Sequence, residues 1–223
     1  MGKQNNVCLV AFMHADELSG EIAELISALP FGNAEKERLL SIKNTDSQKN
    51  SLSALICLSS LLSHFDTNDK DLQIIRQGYG KPHFASLPLF FNVSHSRKLC
   101  AVALSDTNVG IDLEFISDAR DTSALSKRFF TPQEHLEITE SKNATEAFFA
   151  MWTKKEALAK LTGEGLAAIC RNQATDDTSY TFREYEISTA DGKAKLAICF
   201  DGSEGSIPTI EIITTHRTEI TAQ

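Results

Sequence analysis

The chain lacks any run of the ~18–20 apolar residues that a bilayer-spanning helix needs, so no membrane span is expected. Its first apolar run, Val7–Met13, is short and has no small-residue cleavage site, which argues against a secretory signal. There is no C-x-x-C pair. The cysteines Cys8, Cys57, Cys100, Cys170 and Cys199 are odd in number and sit mostly in apolar segments. Reduced structural thiols in a cytoplasm fit that usage better than a disulfide framework. Positive charge is also scarce: 22 Lys and Arg stand against 30 Asp and Glu, a formal net charge of −8. An acidic total argues against general nucleic-acid coating, although a local basic pocket stays open because steering depends on where charges sit. The chain has no G-x-x-x-x-G-K-[ST], no H-E-x-x-H and no dinucleotide fingerprint. Any phosphate site must therefore be built from side chains and turns.

What remains is an ordinary globular composition, 42% hydrophobic and 23% charged over 223 residues. That length suits one large domain or two small ones. Asn6–Met13 reads as a strand. A helix follows with Asp16 as its cap and Leu18, Ile22, Leu25 and Ile26 on one face. Pro30–Asn33 breaks it, and Ala34–Ile42 and Asp46–His64 read as helices. Strands are expected at Asp71–Arg76, Leu89–Val93 and Lys98–Ser105. The order then repeats: strand Asn108–Phe115, helices Ser123–Phe130, Pro132–Glu140 and Ala144–Thr162, then strands Tyr180–Ser188, Lys193–Phe200 and Pro208–Thr215. Asp191–Gly192 marks a hairpin turn. The expectation is an α+β protein of two pseudo-symmetric half-domains, residues 1–106 and 107–223, each a small antiparallel sheet packed with helices. A ligand site is expected at the seam between such halves.

Four stretches carry chemistry. In Val109-Gly110-Ile111-Asp112-Leu113-Glu114-Phe115 the period-two alternation of a strand sends Val109, Ile111, Leu113 and Phe115 to a core. Gly110, Asp112 and Glu114 share the other face. Two carboxylates there repel unless something positive joins them. Mg²⁺ with substrate phosphates would do so; a solvent-facing edge strand is the plainer alternative. On the helix Ala144–Thr162, Phe148, Met151, Trp152, Leu158 and Ala159 form one stripe, and Lys155 falls in its middle. A lysine there needs a partner, and a structural pairing is expected. Glu156 and Lys160 flank the stripe at i, i+4, a spacing that a surface ion pair worth ~0.2–0.5 kcal/mol also explains.

The third stretch, Phe90-Phe91-Asn92-Val93-Ser94-His95-Ser96, reads as a strand end followed by a turn. Such a turn can offer hydroxyls and an imidazole to an anion, or be plain solvent-facing chain. The fourth, Gly78-Tyr79-Gly80-Lys81-Pro82-His83, reads as a loop permitting close backbone approach. Lys36, Arg38, Lys43 and Lys49 precede it, with Lys36 and Arg38 read as solvated charges.

Taken in order, Gly80-Lys81-Pro82, Phe91-Asn92-Val93-Ser94-His95-Ser96, Val109-Gly110-Ile111-Asp112-Leu113-Glu114, Arg128-Phe129-Phe130-Thr131-Pro132-Gln133-Glu134, Trp152 through Lys155-Glu156 to Lys160, and Gly163 to Leu166 resemble the 4′-phosphopantetheinyl transferases. Among them the chain is similar to the two-half, monomeric type related to the surfactin-synthetase-activating enzyme. The resemblance implies a transferase that moves the phosphopantetheine arm of coenzyme A onto a serine of an apo acyl, peptidyl or aryl carrier protein. Adenosine 3′,5′-bisphosphate is the other product. Carried over by position, Asp112, Glu114 and Glu156 would hold Mg²⁺, with Mn²⁺ as its alternative. Glu156 would also take the serine proton. Lys160 and His95 would contact phosphates, with Ser94 near them, and Lys81 and Pro82 would line the adenine end. Lys49 matches a basic position that contacts the 3′-phosphate, where relatives often carry arginine.

The resemblance also implies a monomer in the cytoplasm. Carrier proteins are commonly acidic, as is this chain, so a local positive patch from Lys49, Lys127 and Arg128 is expected. A silent coenzyme A or nucleotide-binding module and a metal-dependent phosphoesterase are the alternatives.

Overall fold

The computed structural model describes residues 6–65, 71–77, 81–166, 177–214 and 219–222. Gly78, Tyr79, Gly80 and Cys170, singled out above, lie outside them. The element order is β1 (Val7–His14), a 3₁₀ turn (Ala15–Glu17), α1 (Ile22–Ala28), α2 (Asn33–Ser41), α3 (Thr45–Leu62), β2 (Ile74–Gln77), β3 (Lys81–Phe84), β4 (Phe90–Ser96) and β5 (Leu99–Ser105). It continues with β6 (Val109–Phe115), α4 (Thr122–Phe129), α5 (Pro132–Glu140), α6 (Ala144–Thr162), β7 (Tyr180–Thr189), β8 (Gly192–Asp201), a second 3₁₀ turn (Glu204–Ser206), β9 (Thr209–Thr214) and β10 (Glu219–Ala222). The chain is α+β, as expected. It divides into two compact units, Met1–Asn108 with Pro208–His216, and Val109–Ile207 with Arg217–Gln223.

In the first unit the sheet order is β4-β5-β1-β9. The amphipathic helix α3 packs across β1 and β5. Leu52, Leu55, Leu58 and Leu61, each three residues after the last, enter one buried cluster with Leu9, Ala11, Val102 and Leu104. Asn44 starts α3, its side chain accepting from Ser47 N at 2.8 Å. Two local expectations are corrected. Asp16 caps no helix: it sits in the 3₁₀ turn and its carboxylate takes Lys98 Nζ at 3.0 and 2.9 Å. Ser94, His95 and Ser96 form no turn: they finish β4, because each pairs with a residue of β5. The turn comes one residue later, with Arg97 at φ 52°.

In the second unit the sheet order is β10-β7-β8-β6, antiparallel throughout. Helix α6 lies across β6 and β8, and α4 and α5 pack against α6. The two units repeat one plan: a first strand pairs with the second strand of a later hairpin, and a long helix packs on both. One strand breaks the expected division of the chain and the expected antiparallel pairing. β9 pairs parallel to β1, from Val7↔Thr209 to Phe12↔Thr214, and so joins the first unit. Parallel neighbours need a long crossover, and here the intervening chain supplies it. In the second sheet β10 takes the outer place, antiparallel to β7.

Candidate active site

Strand β6 is covered on both faces. Val109, Ile111, Leu113 and Phe115 are buried, as the alternation requires, and Asp112 is buried as well because α6 lies over it. Gly110 permits that approach. A Cβ built there would stand 2.0 Å from Ala157 O and 2.7 Å from Leu161 N, so any side chain would push the helix off the strand. α6 is itself well bounded. Asn143 caps its start by accepting from Glu146 N, and Gly163 ends it at φ 74°.

This close packing brings four of the expected residues to one place. Lys160 Nζ donates to Asp112 Oδ1 at 2.6 Å. Glu156, one turn before Lys160, is half-buried. Its carboxyl is pushed up to about 7, first by burial, then by the Asp112 charge, with Lys160 opposing and Glu114 adding to the rise. Arg120 opposes it too, and its Nη1 stands 3.8 Å from Glu114 Oε1. Three carboxylates thus share a neighbourhood with two cations.

Among the described residues no three His, Cys, Asp or Glu side chains are gathered closely enough to enclose an ion as they stand. At Asp112 the Lys160 ammonium engages Oδ1 alone. The donor set nonetheless fits a divalent cation. It offers oxygen ligands only, the preference of Mg²⁺.

The remaining expected residues belong to the first unit. Ser94 is buried and His95 exposed, on opposite faces of β4. Lys81 and Pro82 lie in β3, which pairs with β2, so this stretch is strand where a loop was expected. Lys81 Nζ donates to Asn108 Oδ1 at 2.9 Å. Lys49 lies on α3, where its charge reaches Asp16. Lys127 and Arg128 are adjacent and exposed at the end of α4, with Arg128 4.9 Å over the Phe129 ring.

Lys155 is wholly buried and pairs with Glu134 at 3.0 Å. Glu134 is a partner that no expectation above named. The signal was there: Thr131-x-x-Glu134 forms a capping box at the start of α5, and a carboxylate so anchored can receive a buried ammonium. Arg120 was missed altogether, since it sits between elements with no motif around it. Lys195, 95% buried on β8 and held by Glu186 at 3.1 Å, was missed because strand alternation put no special demand on it.

Residues 108–210 match the family model described as the 4′-phosphopantetheinyl transferase superfamily. Over 97 residues the chain is 41% identical to the 4′-phosphopantetheinyl transferase HetI of Nostoc sp., covering 40% of this chain and 41% of the relative. It is 28% identical over 152 residues to a 4′-phosphopantetheinyl transferase of Bacillus subtilis, 67% of this chain and 66% of the relative. It is 33% identical over 124 residues to AcpT of Salmonella typhi, 54% of this chain and 62% of the relative. The chain thus spans between 41% and 66% of the length of these three relatives. The family match and the relatives agree with the geometry of β6 and α6: residues 108–210 of the chain are similar to the 4′-phosphopantetheinyl transferase superfamily.

Proposed function

We propose that the protein transfers the 4′-phosphopantetheine arm of coenzyme A to a serine of an apo carrier protein, releasing adenosine 3′,5′-bisphosphate. The observation that carries this reading is Lys160 Nζ 2.6 Å from Asp112 Oδ1, with Glu156 one helical turn before Lys160, so that a cation and carboxylates meet at one place. A carboxylate so placed can take a proton from an attacking hydroxyl. In the reaction the serine Oγ bonds to the phosphorus that carries pantetheine. The bond from that phosphorus to the nucleotide's bridging oxygen breaks, and the serine proton passes to Glu156. Lys160, which donates to Asp112, supplies positive charge to the phosphates. Asp112, Glu114 and Glu156 would hold Mg²⁺ or Mn²⁺, which when bound neutralises phosphate oxygens as a Lewis acid.

Lys49, Lys81, Pro82, Ser94 and His95 enter this reading through the resemblance alone, as contacts for the nucleotide end of coenzyme A. Four buried free cysteines, Cys8, Cys57, Cys100 and Cys199, support a reducing cytoplasm as the working compartment. No helix among the described residues is long and apolar enough to cross a membrane. A monomer is the assembly proposed.

The test is direct. The protein is incubated with coenzyme A, Mg²⁺ and an apo carrier protein, and the carrier is weighed. A phosphopantetheine increment is expected, and Glu156→Gln should abolish it while leaving the fold intact. Coenzyme A binding with no increment on any acyl, peptidyl or aryl carrier would instead indicate a silent binding module. Nucleotide release without carrier would indicate a phosphoesterase.

A further inference from the structure

We propose that Arg120 is a contact for the pyrophosphate of coenzyme A, an assignment that rests on the transferase reading above. Arg120 lies between β6 and α4, and its backbone is fixed on the helix side. Its carbonyl accepts from Thr122 N at 2.9 Å, and the next residue, Asp121, caps α4 by accepting from Ala124 N at 2.9 Å. The side chain is 45% exposed, so it is open to a ligand. Its guanidinium sits 5.6 Å over the ring of Phe149, which is itself fully buried and braced edge-on by Phe148. An aromatic platform of this kind holds the plane of an arginine without using its N–H groups.

Those N–H groups are uncommitted. The approach to Glu114 is 3.8 Å, beyond hydrogen-bond length, and the guanidinium donates no hydrogen bond among the described residues. Five donors in a rigid fork thus face a cluster of three carboxylates already served by Lys160. An arginine meant only to neutralise Glu114 would be expected to close on it bidentately. One held 3.8 Å away on a platform is placed for a second anion that arrives later. The charge arithmetic agrees. Three carboxylates against two cations leave one negative charge in excess. A divalent ion held by the carboxylates would reverse that sign, and the fork of Arg120 would then match the oxygens of a pyrophosphate.

The experiment measures coenzyme A affinity by calorimetry in Mg²⁺ for wild type, Arg120→Met and Arg120→Lys. Affinity for adenosine 3′-phosphate, which lacks the pyrophosphate, is measured by competition. Arg120→Met should weaken coenzyme A about tenfold or more, the loss of one charge-assisted hydrogen-bonding group. Arg120→Lys should recover part of that, adenosine 3′-phosphate should bind all three alike, and all three should melt together. In turnover the KM for coenzyme A should rise while the KM for the carrier holds. Unchanged coenzyme A affinity in Arg120→Met, or an equal loss for both nucleotides, would overturn the assignment and leave the transferase reading standing. A wild-type protein that neither binds coenzyme A nor modifies any carrier would overturn both.

Discussion

Lys155 Nζ stands 3.0 Å from Glu134 Oε2 with both side chains out of water, at 0% and 5% exposure. The same Glu134 oxygen accepts from Thr131 N at 2.9 Å, closing the capping box of α5. One carboxylate therefore starts α5 and neutralises the core lysine of α6, and Phe130 adds its ring face 5.9 Å from the ammonium. Breaking a buried pair strands a charge, at a cost of about 3–5 kcal/mol. Lys155→Met should lower stability by about that much in denaturant unfolding and lower transfer with it. Wild-type stability and activity in this variant would remove the pairing role.

Gly110 sets how near α6 can come to β6. In Gly110→Ala the new methyl meets Ala157 O and Leu161 N, both backbone, so neither can swing aside. Overpacking of this kind costs about 1–3 kcal/mol. The larger consequence falls on the site, because Lys160 reaches Asp112 only while helix and strand are in contact. A folded Gly110→Ala protein with sharply reduced transfer is expected. Transfer at the wild-type rate would show that the spacing is not needed.

Cys8, Cys57, Cys100 and Cys199 are free and buried. Burial, then the Asp106 charge, pushes the Cys8 thiol far up, and Cys100 rises beside Cys57. The thiolate is the reactive form, so native protein at pH 8 should leave these four unmodified by iodoacetamide, while denatured protein takes label at each. Peptide mapping reads the difference. Rapid native labelling of any of the four would contradict the packing.

Glu186 joins Lys193 at 2.7 Å and the buried Lys195 at 3.1 Å. Those two hydrogen bonds, Lys193 first, hold its carboxyl below the usual carboxylate range. A depressed carboxylate stabilises the fold above its unfolded value, and that contribution is lost as pH falls through the folded value. Glu186→Gln should therefore melt below wild type at pH 7. The gap should narrow once the pH drops below roughly 4, where the unfolded carboxylate is already protonating. A gap independent of pH would show that the ion pairs are not its source.

Much of this was legible along the chain. The alternation of Val109–Phe115 and the three-and-four spacing of Phe148, Met151, Trp152, Lys155, Leu158 and Ala159 are local periods, and each element formed where its period lay. Lys155 announced a partner by standing on an apolar stripe, since the cost of burying a lone ammonium follows from its place alone. The resemblance to the 4′-phosphopantetheinyl transferases, too, was carried by short motifs at fixed spacings. Partners far apart in sequence could not be read. β9 finds β1 after the whole intervening chain, and a strand's period says which face is apolar but not which neighbour will bond its edge. Glu134 as the mate of Lys155, Lys160 on Asp112, and Arg120 on its aromatic platform all depend on how closely one element lies on another. That spacing is set by the backbone contact at Gly110 and by the packing around Phe148 and Phe149, distances that no local pattern contains.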